Sequence, residues 1–162
     1  MNTSPEKQTY LLDANILFGF SLWVPIHLNK NFWSKLEESL ANGDWILLDA
    51  VVAEIKHDND GLKKWCDAQK KKGLVKNISD DNKNRGVEIN NTYKMIDETT
   101  QKSTADTYLI AYAEGNKLTV FSREAFRTND TGLYKIPDVC RELHIRTIRR
   151  PKKFLEAIGF RN

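Results

Sequence analysis

Short apolar runs that end abruptly in polar residues set the rhythm of this chain. Residues 9 to 12 run into Asp13-Ala14-Asn15, Trp45-Ile46-Leu47-Leu48 into Asp49, and Leu118-Thr119-Val120-Phe121 into Ser122-Arg123-Glu124. Runs of this length with polar boundaries predict buried strands, and Ile145-Arg146-Thr147-Ile148 predicts a last short one. Helical spacing fills the intervals. Residues 14 to about 22 form a helix that stops before Pro25. Phe32, Leu36 and Leu40 fall on one face of a helix that Asn42-Gly43 ends, with Trp33 beside them. Asp49 reads as the N-cap of a helix carrying Val51, Val52 and Ile55. After the turn-like Asp58-Asn59-Asp60-Gly61, a lysine-rich helix with Leu62, Trp65 and Ala68 runs to Gly73. Leu74, Val75 and Ile78 suggest a short extended segment, and one or two polar helices occupy 80 to 100. Ser103 followed by Asp106 has the form of a capping box, opening a helix through Leu109, Ile110 and Ala113. Residues 135 to 143 predict a helix with Pro137 at its first position, and 151 to 158 a terminal one. Strands alternating with helices predict an α/β fold with a central parallel sheet covered on both faces.

Composition narrows the class without deciding it. At 162 residues, 40% hydrophobic and 29% charged, the chain is expected to be one globular domain over 9–162 after a disordered lead, 1–8. The polar start carries no apolar signal region and no apolar run is long enough for a membrane span, so the expected location is cytoplasmic. Cys66 and Cys140 lack metal-like spacing and are expected as reduced, half-buried thiols. The net charge is only +3, yet residues 141 to 162 hold seven arginines and lysines against two acids, a distribution suited to a polyanion or simply to a solvated helix face.

Candidate chemistry gathers where strands end. Asp13 sits at the carboxyl end of a strand, the edge where parallel α/β sheets bind ligands, with Asn15 two residues on; either residue is also a good helix cap. Glu54 lies near a buried helical face, where an acid is uncommon without a partner, although Lys56 and His57 are close enough in sequence to supply one. Asp106 opens a helix, and Glu124 follows a strand. Carboxylates brought together at one sheet edge repel unless a divalent cation is present, and a donor set of hard oxygens selects Mg²⁺ or Mn²⁺. Such an ion with carboxylates and water is the usual apparatus for hydrolysing phosphodiesters.

These residues, in this order, resemble the PIN-domain family. The resemblance rests on Tyr10-Leu11-Leu12-Asp13-Ala14-Asn15, Phe32-Trp33, Val52-Ala53-Glu54-Ile55, Ala105-Asp106 with Leu109-Ile110-Ala111, Phe121-Ser122-Arg123-Glu124, and Lys135-Ile136-Pro137-Asp138-Val139-Cys140. It spans residues 9 to about 150 and is closest to small stand-alone prokaryotic PIN proteins described as toxin-type ribonucleases. It implies a three-layer α/β/α fold, a Mg²⁺- or Mn²⁺-dependent endoribonuclease acting on single-stranded RNA, an antitoxin partner and, often, a homodimer. It also implies that Asp13, Glu54, Asp106 and Glu124 are the catalytic and metal-binding acids, with Asn15 and Ser122 as polar support. Glu124 stands where many relatives have Asp, so its contact with the ion is expected to run through water. Arg123, Arg149, Arg150, Lys152 and Lys153 are the expected RNA-binding cations.

Two other readings compete. A phosphatase of the haloacid-dehalogenase kind needs a second carboxylate two residues after the first, where this chain has Asn15. A catalytically inactive PIN-like module that binds RNA or protein would be expected to have lost at least one acid, and all four are present.

Overall fold

A computed structural model describes residues 7–57 and 60–160. The chain runs β1 (Tyr10–Leu12), α1 (Ala14–Trp23), α2 (Lys30–Ala41), β2 (Trp45–Leu48), α3 (Asp49–Glu54), α4 (Leu62–Lys71), β3 (Val75–Lys76), α5 (Asp80–Thr92), α6 (Thr104–Asn116), β4 (Thr119–Phe121), α7 (Ile136–Glu142), β5 (Thr147–Ile148) and α8 (Pro151–Ala157). The strands form one parallel sheet in the order β3-β2-β1-β4-β5, flanked by helices as a three-layer α/β/α fold. The register pairs Tyr10 with Trp45 and Thr119, and Leu12 with Phe121. From β1 the chain builds outward to β3, then returns to the other side of β1 to lay down β4 and β5. The ends of β1 and β4 therefore flank the point where strand order reverses, the place at which open α/β sheets form a crevice.

One sheet face is packed with aromatic rings. Phe154 on α8 is fully buried and lies 5.6 Å from Tyr10, 5.2 Å from Phe121, and 6.3 Å from both Phe20 and Trp45 between ring centroids. Trp65 on α4 contacts Trp33 and stacks parallel to Trp45. Elsewhere in the core α6 packs against α5, α7 and β4. The contact between α5 and α6 depends on Gly86: a Cβ there would meet Tyr108 Cδ1 at 2.8 Å.

Several local expectations change. Leu48, not Asp49, holds the N-cap position of α3; Asp49 is already helical, and its Oδ1 accepts the N–H groups of Ala50 and Ile78, tying the loop after β3 to the start of α3. The polar stretch 80 to 100 forms one helix, α5, followed by turns. Pro137 is the second residue of α7, because Ile136 is already helical. Both cysteines are free and fully buried rather than half-buried, and burial pushes each thiol up to about 12. The expected lead, 1–8, falls outside the described residues except for Lys7, which pairs with Asp44 at 2.5 Å, and Gln8, whose Oε1 accepts from Thr119. Asp58 and Asn59 of the expected turn, and Arg161 of the basic end, also lie outside them. Among the described residues, no helix is long and apolar enough to cross a membrane.

Candidate functional site

Asp13 follows β1 directly and is buried, with 3% of its surface exposed. Its backbone N–H donates to the Phe121 carbonyl at 3.3 Å, extending the β1–β4 pairing by one residue and fixing where its side chain leaves the sheet. The side chain caps α1: Oδ1 accepts the Ile16 N–H at 3.0 Å. Oδ2 has no hydrogen-bond partner although it is buried. A cap needs one oxygen, and leaving the other dry and unpaired costs on the order of 1–3 kcal/mol, more when charged. Capping therefore accounts for half of this carboxylate.

Three further acids act on the same place. Burial pushes the Asp13 carboxyl above its ordinary value and the Glu124 charge adds to the rise, against the Ser122 hydroxyl and the Ile16 and Asn15 N–H groups. Asp106, in the first turn of α6, is pushed up to about 8, first by burial and then by the charges of Glu124, Glu54 and Asp13. Glu54 ends α3 as a solvent-exposed residue; partial desolvation raises its carboxyl, the Asp13 charge raises it further and Lys56 draws it back. Glu54 thus stands at the rim of the group, while Asp13 and Asp106 form its shielded part. The topology brings together the four acids expected from the sequence.

The polar support differs from expectation in detail. Ser122 is buried at the end of β4 and acts on Asp13 through its hydroxyl. The Asn15 side chain is exposed, and this residue helps Asp13 through its backbone N–H. Ser103, with a φ of +72°, does not form the expected capping box; its side chain instead counters the rise of the Asp106 carboxyl. Nothing in the residue order distinguishes the two roles of Ser103, since a serine three positions before an acid fits both.

Glu124 is half-buried and partly committed: Oε2 accepts the Ile136 N–H at the start of α7. Asp138 is fully buried and has a structural task, accepting the N–H groups of Lys135 and Arg127. The Lys-Ile-Pro-Asp stretch is therefore a fastening for the loop that carries Glu124.

Of the expected cations, Arg123 and Arg149 meet after β4 and β5, where Arg149 Nη2 lies 3.5 Å from the Arg123 carbonyl; Arg150 is exposed beside them. Lys152 instead lies 3.7 Å from Glu156 on the exposed face of α8. Lys153 lines a separate depression with Gln8, Thr119 and Arg146 along the β5 edge. Two broad depressions, of about 490 and 560 Å³, lie at the amino end and edge of the sheet and contain none of the four acids. Charge and an orphaned oxygen mark the site.

Among the described residues, no three acid, histidine or cysteine side chains close tightly enough on one another to grip an ion. The donor chemistry nevertheless fits a hard divalent cation: the oxygens are carboxylates, one of them buried without a partner, and their mutual repulsion is what such a charge relieves. Asp13 and Asp106 are the residues that would hold such an ion, with Glu54 and Glu124 around them.

A family model described as "Domain of unknown function (DUF4411)" matches residues 10–161. No curated protein matches the chain.

Proposed function

We propose that this chain, which belongs to the DUF4411 family, is a PIN-like, Mg²⁺- or Mn²⁺-dependent endoribonuclease that hydrolyses phosphodiester bonds of single-stranded RNA. The observation that carries this reading is the unpartnered, buried Oδ2 of Asp13 at the strand-order reversal, set among three other acids, where burial first and the neighbouring charges second push Asp106 up to about 8. Groups kept at that tension serve a cation better than they serve the fold. A bound Mg²⁺ or Mn²⁺ lowers the pKa of the attacking water and neutralises charge developing on phosphorus. The chain's own residues do the rest. Ser122 and the Ile16 and Asn15 N–H groups orient Asp13, Ser103 orients Asp106, and Arg123, Arg149 and Arg150 hold flanking phosphates outside the acid cluster.

The toxin role rests on the family resemblance. It brings with it an antitoxin protein and a homodimer as expected partners, in a cytoplasmic setting.

Cleavage of a single-stranded RNA by the purified protein tests the reading. Hydrolysis with Mn²⁺ or Mg²⁺, abolished by EDTA and restored by added metal, is expected; activity undiminished by EDTA would sink it. The loose spacing of the acids favours one alternative, a non-catalytic RNA- or protein-binding module. Such a module binds RNA and leaves it intact whichever metal is added.

A further inference from the structure

α1 is unusually apolar for a surface helix, and part of its apolar surface faces solvent. Trp23 at its end is 78% exposed, whereas Trp33 and Trp45 are buried and Trp65 is half-buried. Beside Trp23 runs a groove of about 430 Å³ lined by Phe20, Phe32, Phe121, Leu155 and Arg123. The groove shares a wall with the acid cluster. Ile16 lines it and donates its N–H to Asp13; Phe121 lines it and accepts from the Asp13 N–H. After β4, Ser122 and Glu124 act on the acids while Arg123, between them, lines the groove. Arg123 is exposed and, among the described residues, makes no ion pair.

Gly19 opens the groove. It sits inside α1, where glycine costs about 0.5–1 kcal/mol against alanine, and a Cβ there would touch nothing within 4 Å. Packing does not demand a glycine at this position; its absent side chain leaves the apolar slot free.

We propose that this groove receives a nucleobase of the single strand whose phosphate lies at the acid cluster, the base stacking against Trp23 and the adjoining phosphate meeting Arg123. The proposal rests on the nuclease reading for the identity of its ligand. The pairing of an apolar, aromatic slot with an unpaired arginine at its lip, next to further exposed arginines, matches a molecule that is planar and apolar on one side and anionic on the other. Aromatic platforms beside cationic tracks are how single strands are held without base pairing.

The test titrates the full-length protein, in EDTA to prevent cleavage, with a short single-stranded oligoribonucleotide and with an abasic oligomer of the same length. Tryptophan emission and affinity are read together. The intact oligomer is expected to quench emission and to bind roughly tenfold more tightly than the abasic one. Trp23→Leu should abolish the quench. Gly19→Leu, which fills the slot and replaces a helical glycine, should keep or raise the melting temperature, retain salt-sensitive binding and lose the preference for bases. Equal binding of the two oligomers by the wild type, or an unchanged base preference in Gly19→Leu, would overturn the proposal. So would sedimentation showing a dimer that Gly19→Leu dissociates, because the groove would then belong to a second copy of the chain. A parallel cleavage assay in Mn²⁺ separates the two readings. Base preference without cleavage upholds the groove and removes the nuclease; cleavage without base preference does the reverse.

Discussion

The Glu124 carboxylate accepts the backbone N–H of Ile136 at 3.0 Å, so one of its oxygens is committed to the start of α7 while its charge acts on Asp13 and Asp106. Glu124→Gln keeps an oxygen for Ile136 and removes only the charge. The variant should fold normally, cleave RNA at least tenfold more slowly and hold Mn²⁺ within a few fold of wild type. Asp13→Asn, which keeps the cap on Ile16, should lose both rate and affinity. Calorimetric titration of Mn²⁺ into the two variants decides the matter; equal losses of affinity would make Glu124 a direct ligand.

Asp106 gives the metal-free protein a pH-dependent weakness. Its folded pKa of about 8 lies above the ordinary 3.8, so between these values the folded state binds a proton that the unfolded chain has released. The resulting stability is complete below about pH 4 and is lost as pH rises through about 8, at up to about 1.4 kcal/mol per pH unit. Asp106→Asn removes its share of the slope, leaving that of the raised Asp13 and Glu54 carboxyls. In EDTA its melting temperature should match wild type near pH 4 and exceed it at pH 8, and Mn²⁺ at pH 8 should stabilise wild type but not the variant. Parallel melting curves for the two proteins would refute this.

Salt dependence reports which cations touch phosphate. Neutralising Arg123, Arg149 and Arg150 together should flatten the log-log slope of RNA affinity against salt by about 0.7 per charge removed. Neutralising Lys152 should change it less, since Glu156 already faces that lysine. An unchanged slope in the triple variant would return these residues to a solvated surface.

Gly86→Val is expected to destabilise the fold by about 1–3 kcal/mol, because its Cβ would press on the Tyr108 ring where α5 and α6 touch. Tyr108 follows Asp106 by two residues, so the rate should fall with stability. Denaturant midpoints and turnover measured together check both.

Much of this arrangement could be read from residue order because short buried strands leave little room for ambiguity. Tyr10-Leu11-Leu12 and Thr119-Val120-Phe121 are apolar throughout, as strands covered on both faces must be, and the polar residues after them mark the sheet edge. Asp13 and Glu124 after strands and Asp106 at a helix start stood out for the same reason, whereas Glu54, the last residue of α3, stood out only by the buried face it borders. What escaped was decided by single dihedrals or distant partners. Asp49 looks like a cap locally, yet its second contact, Ile78, lies beyond a helix and a strand. Ser103 changes its task because its backbone is left-handed, which no residue type other than glycine advertises. Lys152 and Lys153 belong to the basic run in sequence, but α8 carries one to Glu156 and the other to the β5 edge. Gly19 was hidden inside an apolar helix, where its value lies in the side chain it lacks.

Strand order also dictates when the acid cluster can exist. β1 is made before its neighbour β4, which follows only after two further strands and six helices. Until then Leu11 and Leu12 have an open edge on one side, able to recruit another strand, and Asp13 has no Phe121 carbonyl to hold it. A nascent chain stopped anywhere before residue 119 lacks both β4 and Glu124; it is prone to aggregate and has no assembled charge centre. Whatever chemistry the acids perform is withheld until β4 and Glu124 have left the ribosome.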